Sequence, residues 1–328
     1  MNERLYFRPT GFVDAPFGHH EKVLRLAGGL VWFSAVEAVI ADGAKRVRQE
    51  LLPIERLDAW LDALPAPMPE QGRLLLARLT APRAPLTVGA RAIRLDQPQA
   101  MAILNVTPDS FSDGGVHGAD PAAAAEAGMR MIAAGAALLD IGGESTRPGA
   151  APVWEGDEIA RVLPVLRRLA RAEAALSIDT RKAGVMAAAL EAGAGMVNDV
   201  SALTYDPEAL ALVAARGCPV VLMHHQGDPA TMQRDPHYED ALIEVYDWLE
   251  RRIAAAEAAG IDRARILIDP GIGFGKAVRH NLALLNGLSL FHGLGCGIVL
   301  GASRKRFIGA LAGEAPAEAR LGGSLAVA

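Results

Sequence analysis

Cysteine is almost absent from this sequence of 328 residues. Cys218 and Cys296 are its only two cysteines, so a disulfide scaffold is excluded, and so is a structural zinc site built on paired cysteines. Both lie beside the starts of predicted strands, and we expect them to be chemically inert.

Long apolar runs are missing as well. The longest one near the start covers residues 26–36, and Glu37 and Asp42 follow it closely. Eleven residues or so are too few to span a bilayer, which takes about 20. The first four residues lack the basic-then-apolar design of a signal peptide. We therefore expect a cytoplasmic protein with no membrane partner.

The sequence has no excess of positive charge. Lys and Arg total 33 against 38 Asp and Glu, which gives a net charge of −5. A nucleic-acid partner is disfavoured by this balance, although a local basic pocket remains compatible with it. Apolar residues make up 51% of the chain, enough for a substantial core. The length fits two average domains or one (β/α) barrel with an extension.

Lysine is rare among the basic residues. The sequence has five Lys and 28 Arg, yet Lys182, Lys276 and Lys305 all follow predicted strands directly. Because the chain uses Arg almost everywhere else, these three Lys positions after strands indicate a need for a compact ammonium group.

The first 85 residues differ from the rest in their pattern of apolar, charged and proline residues. They contain an apolar segment (23–40), a charged stretch that we predict to be helical (45–64), and proline-rich breaks at 65–69 and 82–85. They carry no chemical motif, and His19-His20 is typical of a surface pair. We predict a small N-terminal extension domain, residues 1–85, of unknown role.

A regular alternation of strands and helices follows. Residues 86–95 predict two short strands about Gly89-Ala90. Seven apolar strands then alternate with helices. The strands are predicted at 102–106, 137–141, 175–178, 196–198, 219–223, 265–268 and 297–300, and the helices at 121–134, 155–173, 182–192, 207–215, 237–259, 278–288 and from 306 onward. Uniformly apolar strands are buried on both faces, which predicts a parallel sheet in an α/β fold.

Two closures of such a sheet compete, an open doubly wound sheet and a (β/α)8 TIM barrel. The glycine-rich dinucleotide fingerprint is absent, because Asn-Val-Thr-Pro-Asp (105–109) follows the first strand instead. Polar residues follow nearly every strand, which favours the barrel, whose site is ringed by all the loops. The sequence ends one strand short of eight, and seven strands would leave two unpaired edges. We therefore expect residues 86–328 to be a barrel truncated before strand 8.

The polar strand ends have a structural interpretation and a functional one. Asp or Asn after a strand is often a helix N-cap, and Gly-Gly and Pro-Gly pairs mark turns. In a barrel, however, all these loops meet at one mouth. That mouth would hold Asp179, Asn198, Asp269 and Lys305, with Asn105, Thr146 and Arg147 at its rim.

The residue types at this mouth indicate a ligand. Two carboxylates and an amide suit a flat heterocycle rich in N–H donors, and a lysine suits its carbonyl group. Asn105 and Arg147 suit a phosphate group with a divalent ion. The loops 107–115 and 143–151 are long enough to fold over the mouth as lids.

Four long motifs carry a resemblance to a known family. They are Ile-Leu-Asn-Val-Thr-Pro-Asp-Ser-Phe-Ser-Asp-Gly-Gly (103–115), Asp-Ile-Gly-Gly-Glu-Ser-Thr-Arg-Pro-Gly (140–149), Asp-Pro-Gly-Ile-Gly-Phe-Gly-Lys (269–276) and Ser-Arg-Lys-Arg-Phe (303–307). Residues 86–328 resemble the dihydropteroate synthases of the pterin-binding TIM-barrel group. The resemblance covers nearly three quarters of the chain, and residues 86–95 look like the hairpin that plugs the barrel bottom in that family.

The resemblance implies a transferase of folate biosynthesis. Its reaction joins (7,8-dihydropterin-6-yl)methyl diphosphate to 4-aminobenzoate and gives 7,8-dihydropteroate and diphosphate. It also implies Mg²⁺ as cofactor, a sulfonamide target and a possible homodimer.

The family's site residues carry over to matching positions. Asn105 matches the residue associated with Mg²⁺. The pterin ligands match Asp179, Asn198, Asp269, Lys305 and Thr146. The positions near 4-aminobenzoate and in the lids match Phe111, Thr146, Arg147, Pro148 and Ser303. The catalytic residues implied are Asp179, Lys305 and Arg147.

The sequence departs from the family at its end. The family's eighth strand ends in an Arg-x-His pair that grips the diphosphate. Residues 320–328 resemble the lead-in to that strand, but the pair itself is missing from the sequence.

Two alternatives compete with this function. A pterin-dependent methyltransferase barrel would share the pterin-edge Asp and Asn residues, but it has no need of the second lid or of diphosphate ligands. A non-catalytic paralogue would be expected to lose Asp179, Lys305 or Arg147, and all three are present. Release of diphosphate from the two substrates would separate these possibilities.

Overall fold

A computed structural model describes residues 3–19, 22–107, 120–145, 152–171, 174–227, 232 and 234–328. Three strands near the N-terminus form an antiparallel sheet in the order β1 (Glu3–Val13), β3 (Trp32–Asp42) and β4 (Lys45–Pro53). The two-residue β2 (Leu24–Arg25) also pairs with β3. Two helices follow, α1 (Ile54–Asp62) and α2 (Met68–Thr80).

The predicted helix over residues 45–64 is wrong in its first half. Lys45–Pro53 is a strand paired with β3 from Asp42↔Lys45 to Ala35↔Pro53, and only Ile54–Asp62 is helical. The hairpin turns at Gly43, whose φ of +59° suits glycine. Asp42-Gly43 is a strong hairpin signal, and two of the four charged residues of β4, Lys45 and Arg48, are exposed.

The N-terminal part packs on one helix of the barrel, α7 (Ala241–Ala258). Arg4 Nη1 and the Tyr6 hydroxyl each donate to Asp247 Oδ1 at 2.9 Å, and the rings of Tyr6 and Tyr246 meet edge to face at 5.4 Å. Buried side chains of both parts belong to one continuous hydrophobic core. The domain boundary at residue 85 therefore stays a prediction.

A short hairpin closes one end of the barrel, as expected. Its strands, β5 (Leu86–Val88) and β6 (Arg91–Ile93), pair in an antiparallel register. Leu86, Val88 and Ile93 form a separate apolar cluster with residues from the beginnings of the barrel strands: Leu138, Ala175, Met196, Val221 and Leu267.

The remaining elements alternate as predicted. The strands are β7 (Met101–Asn105), β8 (Leu138–Gly142), β9 (Leu176–Asp179), β10 (Met196–Asp199), β11 (Val220–Met223), β12 (Ile266–Asp269) and β13 (Gly297–Ile298). The helices are α3 (Pro121–Ala133), α4 (Glu155–Ala170), α5 (Ala183–Glu191), α6 (Ala209–Arg216), α7, α8 (Val278–Asn286), α9 (Arg306–Leu311) and α10 (Leu321–Val327).

The seven strands form one parallel sheet whose spatial order is their sequence order, β7 to β13. This order is that of a (β/α) barrel, and the topological switch of a doubly wound sheet is absent from it. No further strand pairs with either outer edge within the described ranges. None of the helices described is long and apolar enough to cross a membrane.

Candidate active site

Four residues at the ends of neighbouring strands lie in one row. Asn105 pairs with Gly142, Gly142 with Asp179, and Asp179 with Asn198. Register partners in a parallel sheet point to the same face. The strands β7 to β10 therefore carry Asn105, Asp179 and Asn198 side by side at their C-terminal ends, where barrel enzymes place their sites.

Gly142 leaves room in the middle of this row. A Cβ atom built on Gly142 would lie 3.5 Å from Asp179 Oδ2 and 3.6 Å from Asn105 Oδ1. Both side chains are half-buried. The amide oxygen of Asn105 and a carboxylate oxygen of Asp179 thus face the same small space, where one ligand can reach both.

Asp140 supports the row from below. It lies on β8 two residues before Gly142, so its side chain shares that face, and Asn198 Nδ2 donates to Asp140 Oδ2 at 2.7 Å. This bond orients the Asn198 amide and leaves its oxygen free to accept a ligand N–H. Burial raises the pKa of Asp140 to about 6. The sequence reasoning assigned Asp140 no role, although the two-residue period of the strand points to it.

Asp179 is the one carboxyl group of the row, and its surroundings shift its pKa. Burial, and then the charges of Asp140 and Asp199, raise its pKa well above the ordinary value. Its Oδ1 atom is buried and has no hydrogen-bond partner among the described residues. A buried carboxylate oxygen without a donor is unfavourable, and a ligand N–H would satisfy it.

Asp269, the last residue of β12, and Lys305, the residue directly before α9, form a second cluster. A Cβ atom on Gly301 would lie 3.6 Å from Lys305 Nζ and 3.8 Å from Asp269 Oδ2. Asp269 Oδ1 accepts the Gly271 N–H at 2.7 Å, and Lys305 Nζ donates to the Ile272 carbonyl. Burial lowers the pKa of Lys305 to about 8, and the Asp269 carboxylate opposes that shift.

The two clusters are close enough for one ligand. Asn198 is on β10 and Asp269 is on β12, with β11 between them, which corresponds to roughly 10 Å across the sheet. A fused two-ring heterocycle is about that long. The structure therefore places Asp179, Asn198, Asp269 and Lys305 around one opening.

The other predicted residues are distributed as follows. Ser303 is exposed in the loop before α9, two residues from Lys305. The four lid positions, Phe111, Thr146, Arg147 and Pro148, lie outside the described residues.

A buried ion network that sequence reasoning missed lies beside the row. Lys182 Nζ donates to Glu144 Oε2 at 3.0 Å and to Glu158 Oε2 at 2.5 Å. Glu144 Oε1 accepts the Val153 N–H at 2.8 Å, so Glu144 ties together the two ends of the second predicted lid. The position of Lys182 after a strand was the only sequence signal.

The oxygen ligands at the mouth are few for a metal site. No group of three or more His, Cys, Asp or Glu side chains that could hold a metal occurs among the described residues. Mg²⁺, however, usually keeps several waters and takes one or two protein oxygens plus substrate phosphates. The half-buried amide oxygen of Asn105, facing Asp179 Oδ2 across Gly142, fits that mode of binding.

Comparison with protein families gives one match over most of the chain. The model of the pterin binding enzyme family matches residues 101–328. A dihydropteroate synthase of Escherichia coli (strain K12) is 47% identical over 238 residues, which are 72% of this chain and 83% of that protein.

Solved structures give the same result. The dihydropteroate synthase of Xanthomonas albilineans, determined with 4-aminobenzoic acid, has a TM-score of 0.69 and 51% identity, and the match covers 75% of this chain and 87% of that one. The dihydropteroate synthase of the same organism in complex with 7,8-dihydropteroate has a TM-score of 0.66 and 48% identity, and the match covers 74% of this chain and 87% of that one.

Proposed function

This chain belongs to the pterin-binding enzyme family, and we propose the reaction that the residues at its strand ends catalyse. It is a transferase of folate biosynthesis that joins (7,8-dihydropterin-6-yl)methyl diphosphate to 4-aminobenzoate, giving 7,8-dihydropteroate and diphosphate. The single observation that carries the proposal is the row of Asp179 and Asn198 beside the Asp269–Lys305 pair, at the same end of the sheet.

The pterin ring lies flat across these strand ends. Its N–H donors face the carboxylates of Asp179 and Asp269 and the amide oxygen of Asn198. Its carbonyl oxygen accepts from Lys305. The unpartnered Oδ1 of Asp179 and the orienting bond from Asn198 to Asp140 support this arrangement, since buried acceptors need donors.

The bond change is a substitution at the methylene carbon of the pterin substrate. The bond from this carbon to the diphosphate oxygen breaks, and its electron pair leaves with the diphosphate. The arylamine nitrogen then forms a bond to the carbon and loses a proton to solvent. The pterin ring can delocalise positive charge as diphosphate leaves, and the buried charge of Asp179 stabilises that cation electrostatically. An arylamine is nucleophilic enough to capture it, so the reaction needs no strong protein base.

Asn105 is the proposed magnesium ligand. When held there, Mg²⁺ would neutralise negative charge on the diphosphate leaving group. The orientation of the Asn105 amide oxygen toward the space beside Asp179 supports this role. By resemblance we also propose that Arg147 contacts the diphosphate, and that Phe111, Thr146, Pro148 and Ser303 line the 4-aminobenzoate side.

Product formation tests the proposed function directly. With both substrates and Mg²⁺, we expect diphosphate and dihydropteroate to appear in equal amounts. Without 4-aminobenzoate, diphosphate release should be slow, because water is excluded from the closed site. Binding of both substrates with no diphosphate release would contradict the proposal and favour a non-catalytic protein.

Lys305 gives this reaction a predicted pH dependence. The free enzyme holds Lys305 with a pKa of about 8, and only the ammonium form donates strongly to the pterin carbonyl. Pterin affinity should therefore be constant well below pH 8 and fall by about tenfold per pH unit above it. Calorimetric titration with 6-hydroxymethylpterin from pH 6 to 10 measures this.

Lys305→Ala is the control for that experiment. The variant should bind the pterin more weakly at low pH and show a shallower alkaline fall, because the ammonium no longer titrates and only ionisation of the ligand's own ring N–H remains. An unchanged alkaline fall in Lys305→Ala would refute this role of Lys305.

A homodimer is also proposed. Exposed apolar side chains on the C-terminal helices support it, since Leu311, Leu321 and Leu325 are 55–68% exposed and a second copy would cover them. Sedimentation equilibrium measures the mass in solution, and a monomer at micromolar concentration would contradict the dimer. A cytoplasmic location and sulfonamide binding stay predictions.

A further inference from the structure

A second buried lysine, Lys276, lies behind the cluster of Asp269 and Lys305. It is 3% exposed, and the proposed reaction leaves it without a role. Its Nζ atom lies 2.9 Å from His224 Nδ1, 3.3 Å from the His224 carbonyl oxygen and 2.9 Å from the Phe274 carbonyl oxygen. Burial lowers the pKa of Lys276 to about 7, and the Asp269 carboxylate opposes that shift. In its ammonium form the group has three N–H donors, so these three acceptors match them one for one.

His224 takes part in this arrangement as a neutral ring. It is buried, with its ring edge to face against Trp248 at 5.0 Å. Burial and then the charge of Lys276 hold the pKa of His224 well below its usual value. Because the Lys276 ammonium can only donate, its 2.9 Å contact with His224 Nδ1 requires Nδ1 to accept, which places the proton of the neutral ring on Nε2.

The ammonium of Lys276 lies directly against the turn that follows β12. A Cβ atom on Gly271, whose φ is +69°, would come 1.9 Å from the His224 carbonyl oxygen and 3.3 Å from Lys276 Nζ. The Phe274 N–H closes the turn by donating to the Gly271 carbonyl at 3.1 Å. Gly271 is thus packed against His224 and Lys276 with no room for a side chain.

This same turn carries contacts to both pterin ligands of the second cluster. The Gly271 N–H donates to Asp269 Oδ1 at 2.7 Å, and the Ile272 carbonyl accepts from Lys305. The Lys305 ammonium also lies 4.7 Å from the centre of the Phe274 ring. Any shift of the turn therefore moves Asp269 and Lys305 together.

We propose that Lys276 is a positioning residue for the dihydropterin pocket: by binding His224 and the Phe274 carbonyl, its ammonium fixes the turn that holds Asp269 and Lys305 in place. The inference rests on the proposed function for the identity of the ligand. A neutral side chain at this position leaves two buried carbonyl oxygens without their donor, and the turn relaxes toward other partners.

Lys276→Met tests the proposal, because it keeps the length of the side chain and removes all three donors. We expect its affinity for 6-hydroxymethylpterin, measured by calorimetry, to be about tenfold or more below that of the unmodified chain, which is the effect of an unsatisfied buried polar group. Unchanged affinity would overturn the proposal.

Arg83→Met is the matched control. Arg83 is another inward cation, and its hydrogen bonds within the described part of the chain go only to main-chain carbonyls, those of Arg78, Ala81, His292 and Cys296. It lies at the opposite end of the barrel, beside the start of β13. Both variants should lower the thermal midpoint, and only Lys276→Met should weaken pterin binding. An equal loss of pterin affinity in the two variants would reduce the role of Lys276 to general stability.

A pair of variants at His224 covers the case in which Lys276→Met does not fold. His224→Leu removes the ring acceptor, whereas His224→Asn can present an amide oxygen near the place of Nδ1. We expect Asn to retain pterin affinity and Leu to lose it, and equal affinities would contradict the proposal. Binding needs no turnover, so absence of diphosphate release by the unmodified chain would count against the proposed function separately.

Discussion

Asp179→Asn is expected to abolish turnover while the fold survives. The substitution keeps the shape of the side chain but removes the negative charge that stabilises the pterin cation. Removing one such electrostatic contact lowers kcat by about 10²–10³ in other enzymes, and a charge facing a developing cation should lie at the upper end. Steady-state formation of dihydropteroate measures the effect.

The thermal stability of Asp179→Asn should not fall with its turnover. Burial and the charges of Asp140 and Asp199 raise the pKa of Asp179, so its ionised form is unfavourable in the folded chain. Asp179→Asn removes that unfavourable charge, and its thermal midpoint should equal or exceed that of the unmodified chain. Sites built for function are often destabilising in this way.

Asp206→Ala is a suitable control for Asp179→Asn. Asp206 Oδ2 accepts the N–H of Ala183, the first residue of α5, at 2.8 Å, so its loss should destabilise the chain by about 1 kcal/mol without affecting turnover. A normal turnover rate in Asp179→Asn, with the pterin substrate saturating, would show that the charge of Asp179 has no part in the chemistry.

Lys182→Met is expected to have the largest effect on stability. Lys182 lies between Glu144 and Glu158, which are 6% and 0% exposed. Its loss leaves two buried carboxylates, and among the described residues Arg181 is then the one cation in contact with Glu144. Removing one partner of a buried ion pair costs about 3–5 kcal/mol, which urea denaturation would show as a lower free energy of unfolding.

A double variant separates lost charge balance from lost packing. Lys182→Met combined with Glu158→Gln leaves one fewer buried charge, so it should recover part of the lost stability. Lys22→Met is the exposed control: Lys22 lies 4.0 Å from Glu55 at the surface, and such pairs are worth about 0–1 kcal/mol. Equal effects of Lys182→Met and Lys22→Met would contradict a structural role for the network.

The parallel barrel was predicted well from the sequence, but the strand pairing of the N-terminal part was not. The apolar run 219–223 and the mostly apolar run 137–141, which contains Asp140, predicted β11 and β8, because a strand that is buried on both faces consists mainly of apolar residues. The strand β4 was missed because its charged residues resemble a solvated helix. Its partner, β3, is joined to it through Gly43, and only the paired register shows which of its faces is buried.

The sequence by itself determined the family, the alternation of strands and helices, and the identity of the polar residues at the strand ends, because those features depend on residue type and spacing along the chain. Only the tertiary structure decided which neighbours support those residues. Asp140 beneath Asn198, Glu144 against Lys182, and His224 against Lys276 are separated by 58, 38 and 52 positions. Such contacts form when folding brings different strands together. Each buried polar group has lost its water, so its free energy depends on the protein groups that replace that water.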